Sequence, residues 1–187
     1  MDQSNKVTSI QAESLGSSSR YRPLVLFLES ETCLLQAYQR MLKDAGYRFL
    51  GTSSEQEALR LLRTQRIELF GLNLTRPLNE VLGTNNEQEA LRLQGTDPAG
   101  SVPDQLAASW LGRCQFVRQI KADKALSEIP LLVVSGFKKV KAMDMFQEAG
   151  VVLYRDLDGY LEKPFSPVDL VATIETILVR RGKLLRT

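Results

Sequence analysis

Four short apolar runs in this sequence end at side chains that could do chemistry. The polar residues at these ends are Glu29 with Ser30, Asn73, Ser135 and Lys163. Functional sites in open α/β sheets lie at the carboxyl ends of the strands. If the runs are neighbouring parallel strands, a carboxylate, an amide, two hydroxyl groups and an ammonium group meet at one edge of the sheet. The main question is what the amide of Asn73 does at a place where a carboxylate would be useful.

The run that leads to Asn73 is the centre of the predicted fold. It extends from Ile67 to Pro77, is almost wholly apolar before Asn73, and is stopped by the proline. A short apolar run bounded in this way is typical of a strand in the middle of a parallel sheet. The other predicted strands, with two candidates for the fifth, are Pro23–Leu28, Tyr47–Leu50, Leu131–Val134, and either Val151–Tyr154 or Gly159–Glu162.

Segments with helical periodicity lie between these runs. Gly46 is well placed to end the first helix, and Ser54 precedes the acidic start of the second. Ser166 and Pro167 give the last helix an N-cap and a first-turn proline. The helix before Gly150 has two candidate inner faces, which consist of Val140, Met143, Phe146 and Ala149 or include Ala142 and Met145. Five strands that alternate with five helices predict a doubly wound parallel α/β sheet.

Three segments stand outside this alternation. Residues 1–22 are polar and are predicted to be a disordered tail, whereas residues 183–187 form a basic stub. Residues 23–182 are predicted to form one domain. Within it, residues 78–111 weaken the pattern and are interpreted as an inserted loop and helix segment.

The inserted segment contains an internal repeat. The sequence Gly51–Leu61 recurs, with two asparagines in place of two serines, as Gly83–Leu93. A capping pair followed by Glu-Gln-Glu should start a helix in both places. Farther on, Gln105–Leu111, which holds the only tryptophan, is predicted to form another helical turn.

The composition argues against several classes of site. The 187 residues include 24 basic and 22 acidic side chains, so a net charge of +2 gives no reason to expect nucleic acid or an anionic membrane as a partner. The absence of histidine and the presence of only Cys33 and Cys114 disfavour zinc sites, disulfide frameworks and histidine catalysis. No apolar run reaches the roughly 20 residues that span a bilayer, and the first 22 residues lack a signal-peptide core. We expect a cytoplasmic protein with reduced thiols.

The strands and their polar ends resemble the receiver domain of two-component response regulators, the CheY-like family. The resemblance covers about residues 23–77 and 112–182. Its most specific part is the sequence around Lys163, which is followed by Pro-Phe. The segments that carry it are Ile67–Pro77, Ile120–Asp123 with Ile129–Gly136, and Gly159–Phe165. The resemblance implies a flavodoxin-like sheet with the strand order 2-1-3-4-5 and helices on both faces.

Three positions match the family's site. The resemblance implies that Lys163 is the phosphate-contacting lysine, Ser135 the hydroxyl residue that senses the phosphoryl group, and Tyr160 the switch aromatic. Each residue also has a structural interpretation. Lys163 could bond Asn73, Glu29 or a backbone carbonyl. Ser135 could simply end a strand, and Tyr160 could be a half-buried, packed aromatic.

Three other positions depart from the family's pattern. Glu29 and Ser30 stand where the resemblance places two magnesium-binding acids, and Asn73 stands at the position of the phosphoacceptor aspartate. A neutral amide with delocalised lone pairs is a very poor nucleophile, and Mg²⁺ prefers anionic oxygen ligands in a strict octahedron. Glu29 alone is a weak candidate for a metal ligand. We therefore expect a degenerate phosphoacceptor pocket, no cofactor and no phosphorylation of Asn73.

Two functions from different classes are consistent with these residues. The first is a stand-alone pseudo-receiver, a non-enzymatic module of a phosphorelay that binds a partner such as a histidine kinase or a downstream regulator. The second is a phosphotransfer switch with a substitute acidic acceptor, for which the candidates are Glu29, Asp156 and Asp158. A weaker third is binding of a small ligand or anion in the vacated pocket. No segment is long enough for a DNA-binding output domain, so we expect no direct contact with nucleic acid or a membrane.

Overall fold

Five parallel strands form the central sheet of the protein. Its structure, a computed structural model, describes residues 21–74, 104–151 and 153–184. The strands are β1 (Leu24–Leu28), β2 (Arg48–Thr52), β3 (Leu69–Asn73), β4 (Leu131–Ser135) and β5 (Gly159–Glu162). They lie in the order β2-β1-β3-β4-β5, and each neighbouring pair is parallel. The predicted fold class and strand order are confirmed.

Helices cover both faces of this sheet. Those in the described ranges are α1 (Thr32–Asp44), α2 (Glu55–Thr64), α3 (Asp104–Ala122), α4 (Lys139–Glu148), α5 (Leu153–Asp156) and α6 (Pro167–Arg180). The apolar side chains of α1 and α6 pack on one face of the sheet, and those of α2, α3 and α4 pack on the other. Each crossover therefore returns the chain to the amino edge of the sheet, and the strand ends gather at the carboxyl edge.

Side chains that alternate along the strands fill a core on each face of the sheet. Leu26 and Phe70 pack towards α2, α3 and α4, whereas Phe27 and Leu69 pack towards α1 and α6. Because both faces of the central strands are buried, their sequences are apolar throughout. A Cβ on Gly71 would lie 2.4 Å from Phe27 Cε1, so the ring of one strand packs directly on the backbone of the next. This close approach requires glycine at position 71.

Local capping chemistry sets three helix ends where the sequence predicted them. The chain leaves α1 through Gly46, whose φ of 88° suits glycine. The side chain of Ser54 accepts a hydrogen bond from the Glu57 amide at 3.4 Å and starts α2. At α6, Ser166 and Asp169 form a reciprocal capping box. These caps depend on neighbours in the sequence, which is why they could be predicted.

Strand pairing decides between the two candidates for the fifth strand. Leu153–Asp156 form the short helix α5, whereas Gly159–Glu162 pair with β4. The candidate at Val151–Tyr154 is therefore wrong. Asp158 explains the choice, because its amide donates to the Leu131 carbonyl at 2.8 Å and its carboxylate accepts from the Leu131 amide at 2.9 Å. These two bonds fix the start of β5 beside the start of β4.

Two helices differ from their predicted form. Helix α3 begins at Asp104, so residues 104–111 are its first two turns and belong to the same helix as the residues that follow them. In α4, Ala142 and Phe146 are fully buried, whereas Val140 is 74% exposed. The inner face therefore combines Ala142 of one candidate face with Phe146 and Ala149 of the other, and the placement of Val140 on it is wrong. Apolar residues occur on several sides of α4, so periodicity alone did not fix its rotation about its axis.

Several predictions concern residues outside the described ranges. These residues are 1–20 of the predicted tail, Thr75–Pro77, the second copy of the repeat at Gly83–Leu93, and 185–187 of the basic stub. Tyr21, which the sequence placed in the tail, is described, and its hydroxyl donates a hydrogen bond to Glu68. Across the three described ranges, the helices lack the combination of length and apolar character that crossing a membrane requires.

Candidate functional site

The carboxyl edge of the sheet brings the predicted site residues together. Glu29 directly follows β1, Asn73 ends β3, Ser135 ends β4 and Lys163 directly follows β5. The register places the ends of these strands side by side, with Asn73 opposite Val134. Residues that are far apart in the sequence thus meet because parallel neighbouring strands end at the same edge.

The carboxylate of Glu29 is the centre of the site. It is fully buried, its Oε1 accepts from Asn73 Nδ2 at 2.7 Å, and its Oε2 accepts from Lys163 Nζ at 3.1 Å. The backbone amide of Glu31 also donates to Oε1, at 3.2 Å. Burial, followed by the charge of Glu29, raises the pKa of the Tyr38 hydroxyl well above its ordinary value. Tyr38 therefore stays a neutral phenol beside the side chain of Glu29.

The amide of Asn73 is used as a structural donor in this arrangement. Asn73 is 2% exposed, and its Nδ2 makes a shorter hydrogen bond to Glu29 than Lys163 or the Glu31 amide does. A carboxylate at position 73 would instead face the carboxylate of Glu29 across this short distance. The amide thus lets two buried polar side chains meet without electrostatic repulsion.

Ser135 and Tyr160 hold the loop that follows β4. The fully buried Ser135 accepts a hydrogen bond from the Phe137 amide at 3.1 Å, and the Tyr160 hydroxyl donates to the Phe137 carbonyl at 2.8 Å. Burial is the main cause of a raised pKa for the half-buried Tyr160. Both side chains therefore act on one loop residue, and Ser135 is also tied to the site because its carbonyl accepts from the Lys163 amide at 2.8 Å.

A further charged residue, Arg113 of α3, was missed by the sequence analysis. Its side chain is 3% exposed, although arginine is almost never fully buried unless it is paired. Its Nη1 lies 3.1 Å from Glu55 Oε1, and its Nη2 lies 3.5 Å from Ser30 Oγ. The guanidinium therefore reaches the hydroxyl that follows Glu29 and connects it with the start of α2.

A sequence signal for Arg113 existed. The residue lies three and four positions before Phe116 and Val117, so it shares their helical face, which is the buried face of α3. A charge on an otherwise apolar inner face is unusual. The helical pattern is clear in the sequence only from Phe116 onwards, which leaves Arg113 at its edge.

The donor groups at this edge do not fit a magnesium ion, which the resemblance implied. Both oxygens of Glu29 already accept hydrogen bonds from Asn73 and Lys163. The neighbouring Ser30 offers a neutral hydroxyl and lies beside the guanidinium of Arg113. In residues 21–74, 104–151 and 153–184, no group of three or more acidic, histidine or cysteine side chains is placed to hold a metal. Mg²⁺ prefers anionic oxygens. Among Glu29, Ser30 and Asn73, only Glu29 has a carboxylate, and its oxygens already accept hydrogen bonds.

Two of the candidate substitute acceptors lie away from this site. Asp158 precedes β5 and bonds the first residue of β4, so it lies at the amino edge of the sheet, where Arg181 Nε also donates to it at 2.5 Å. Asp156 belongs to α5 and pairs with Arg155 at 2.8 Å. The structure therefore does not bring Asp156 or Asp158 to Lys163, and only the third candidate, Glu29, is in contact with it.

Comparisons with known proteins identify the fold. No protein-family model matches the chain, and no curated protein matches it in sequence. Among solved structures, the chemotaxis response regulator CheY4 of Vibrio cholerae is similar, with 17% identity and a TM-score of 0.56 over 84% of this chain and 100% of that one. A putative response regulator from Chloroflexus aurantiacus has 18% identity and a TM-score of 0.57 over 86% and 100% of the two chains.

A third similar structure is one domain of a larger signalling protein. It is the signal receiver domain of a signal transduction histidine kinase from Syntrophus aciditrophicus, with 16% identity and a TM-score of 0.57 over 88% of this chain and 96% of that one. At these identities the similarity concerns the fold. The chain therefore has the five-stranded parallel sheet of CheY-like receiver domains, and its chemistry must be inferred from its own side chains.

Proposed function

We propose that this chain is a signalling module of the response-regulator type that acts through protein–protein contacts and carries no phosphoryl group at position 73. The observation that supports this most directly is the hydrogen-bonded set at the carboxyl edge, in which Glu29 accepts from Asn73 and from Lys163. The groups that would bind a metal and a phosphoryl oxygen are instead bonded to each other.

The missing step is nucleophilic attack on phosphorus. An aspartate carboxylate can displace a leaving group from a phosphoryl donor, whereas the amide of Asn73 is neutral and its nitrogen points at Glu29. Glu29 is an unsuitable substitute, because both of its oxygens are hydrogen-bonded and the side chain is fully buried. Phosphoryl transfer also relies on a cation that offsets charge in the transition state. The donor set here does not suit Mg²⁺, so we infer neither enzymatic activity nor a cofactor.

The surface proposed for partners is formed by α4, β5 and α6, roughly residues 138–182. Within the described ranges, strand β5 lies at the end of the sheet, and one of its edges has no neighbouring strand there. The groove beside it is lined by Tyr160, Gly159 and four basic residues, Lys139, Arg155, Arg180 and Arg181. Asp156 pairs with Arg155 and Asp158 pairs with Arg181, so part of this charge is offset. We infer that an acidic segment of a histidine kinase or a downstream regulator binds there.

A cytoplasmic location is part of this proposal. Cys33 and Cys114 are both free thiols, and burial raises the pKa of the Cys114 thiol to about 12. An inert, reduced thiol in the core is in keeping with a reducing compartment.

The test is direct phosphorylation of the purified chain. The protein is incubated with acetyl phosphate and Mg²⁺, and its intact mass is measured at once by mass spectrometry under mild conditions. The expected result is an unchanged mass. A labile gain of one phosphoryl group would overturn the proposal, and the Glu29→Gln variant is the matched control. A label that disappears in this variant would identify Glu29 as a substitute acceptor.

A further inference from the structure

The guanidinium of Arg113 occupies the side of the site where the acidic residues are incomplete. Its Nη2 contacts the hydroxyl of Ser30, the residue directly after the fully buried Glu29. Its Nη1 pairs with Glu55, the first residue of α2. Arg113 itself is 3% exposed, so its charge acts in a poorly solvated environment beside the strand ends.

We propose that Arg113 supplies the fixed positive charge of this site in place of a divalent cation. The guanidinium thereby excludes Mg²⁺, even from a site in which the missing acidic ligands are restored. This inference rests on the proposed function, because it explains how a receiver-like site is kept free of metal. It adds a specific determinant to that function: the absence of metal depends on the presence of Arg113 as well as on the loss of carboxylates.

Two ion pairs join charged residues around the site. Lys163 pairs with Glu29 at 3.1 Å, and Arg113 pairs with Glu55 at 3.1 Å. A buried charge is tolerated when it is paired and hydrogen-bonded. A divalent ion beside Glu29 would add two positive charges to this set and would lie close to a guanidinium that cannot lose its proton. Electrostatic repulsion of this kind is strong where solvent does not screen it.

A purely structural role for Arg113 makes a different prediction for how the affinity for Mg²⁺ changes with the residue at position 113. If Arg113 only ties α3 to α2 and to the loop after β1, then a variant affects stability and leaves the affinity for Mg²⁺ unchanged. If its charge replaces a metal, then glutamine and lysine at this position must differ. Glutamine is polar but neutral, whereas lysine retains the charge.

The experiment uses the full chain with two restored acids, Ser30→Asp and Asn73→Asp, as the common background. This background is prepared with native Arg113, with Arg113→Gln and with Arg113→Lys. The affinity for MgCl₂ is measured by isothermal titration calorimetry, and the Mg²⁺-dependent shift of the melting temperature is a second readout. We expect the Arg113→Gln version to bind Mg²⁺ at least about tenfold more tightly than the version with native Arg113. The Arg113→Lys version is expected to stay close to the native one.

Several outcomes would overturn the inference. One is an equal affinity of the native and Arg113→Gln versions, and another is a lack of Mg²⁺ binding in both. An Arg113→Lys version that binds as tightly as Arg113→Gln would show that geometry, not charge, is decisive. Arg113→Met serves the same comparison if Arg113→Gln does not fold. If the guanidinium stands in for Mg²⁺, then added Mg²⁺ should replace it in these variants. Failure of both Arg113→Gln and Arg113→Met to fold in excess MgCl₂ would therefore also count against the inference.

The proposed function is tested separately from this inference. It depends on the acetyl phosphate reaction of the unmodified chain, whereas the inference depends on the ratio of Mg²⁺ affinities among the acid-restored variants. A phosphorylated native chain would overturn the proposed function whatever the affinities are. A ratio near one would overturn the role of Arg113 and leave the inertness of Asn73 intact.

Discussion

The amide nitrogen of Asn73 lies 2.7 Å from Glu29 Oε1, and both side chains are buried at the carboxyl edge of the sheet. Lys163 binds the other oxygen of the same carboxylate. A carboxylate at position 73 would repel the carboxylate of Glu29, whereas the neutral amide of Asn73 donates a hydrogen bond to it. The first prediction follows from this contact.

Asn73→Asp is expected to destabilise the protein by about 2 kcal/mol or more at neutral pH, because it removes a hydrogen bond to a charged group and opposes two buried carboxylates. The deficit should shrink as the pH falls towards about 4, because repulsion between the carboxylates raises the folded-state pKa of the introduced pair above the ordinary value. Urea unfolding at both pH values measures it. Asn73→Ala is the control, since it loses the bond without adding charge. Equal deficits of the two variants at neutral pH would contradict this account.

Lys163→Met should leave Glu29 as a buried carboxylate without its cationic partner. Because Lys163 is 22% exposed, solvent reduces the effect, and we expect a loss of about 2 kcal/mol in the free energy of unfolding. Adding Glu29→Gln to Lys163→Met should restore part of that loss, which a double-mutant cycle of unfolding free energies measures. Purely additive effects would show that the pair is not coupled.

Gly71→Ala tests the close packing of β3 on β1. The added Cβ would lie 2.4 Å from Phe27 Cε1, so we expect a destabilisation of about 1–3 kcal/mol. Gly112→Ala is a matched control, because a Cβ there meets nothing within 4 Å and Gly112 lies in α3. That variant should stabilise the helix by about 1 kcal/mol. Thermal unfolding of both variants provides the comparison, and a neutral Gly71→Ala would contradict the packing argument.

Asp169 links the stability of α6 to acid pH. Hydrogen bonds from the Ser166 side chain and backbone lower the pKa of this carboxyl below its ordinary 3.8. A lowered folded-state pKa means that ionised Asp169 stabilises the fold above the unfolded value, and that this contribution is lost as the pH falls through the folded value. Asp169→Asn should therefore flatten the decline of the melting temperature below about pH 4. An unchanged pH profile would argue against the capping box as its source.

Much of the fold could be predicted because its signals are local. The apolar runs, Gly46 after α1, and the caps at Ser54 and Ser166 depend on residues close in sequence. The strand order was implied by the resemblance and is confirmed. The fifth strand was left open between two apolar runs, because each had a strand-like composition and only pairing with β4 separates them.

The sequence predicted most residues of the candidate site but only part of its geometry. The positions of Glu29, Asn73 and Lys163 at strand ends were correctly expected to converge. Their specific bonds join residues 44 and 134 positions apart, so no local pattern encodes them. Arg113 was missed because its role depends on where α3 begins and on which helix face is buried.

The sequence by itself determined the alternation of strands and helices, the helix caps and the replacement of an acid by an amide at position 73. These depend on residue type and on neighbours within a few positions. The tertiary structure alone decided that Glu29 is the shared acceptor for Asn73 and Lys163, that Arg113 reaches Ser30, and that Asp158 lies at the opposite edge. The physical reason is that distances between remote side chains depend on how the strands pair and how the helices rotate against the sheet.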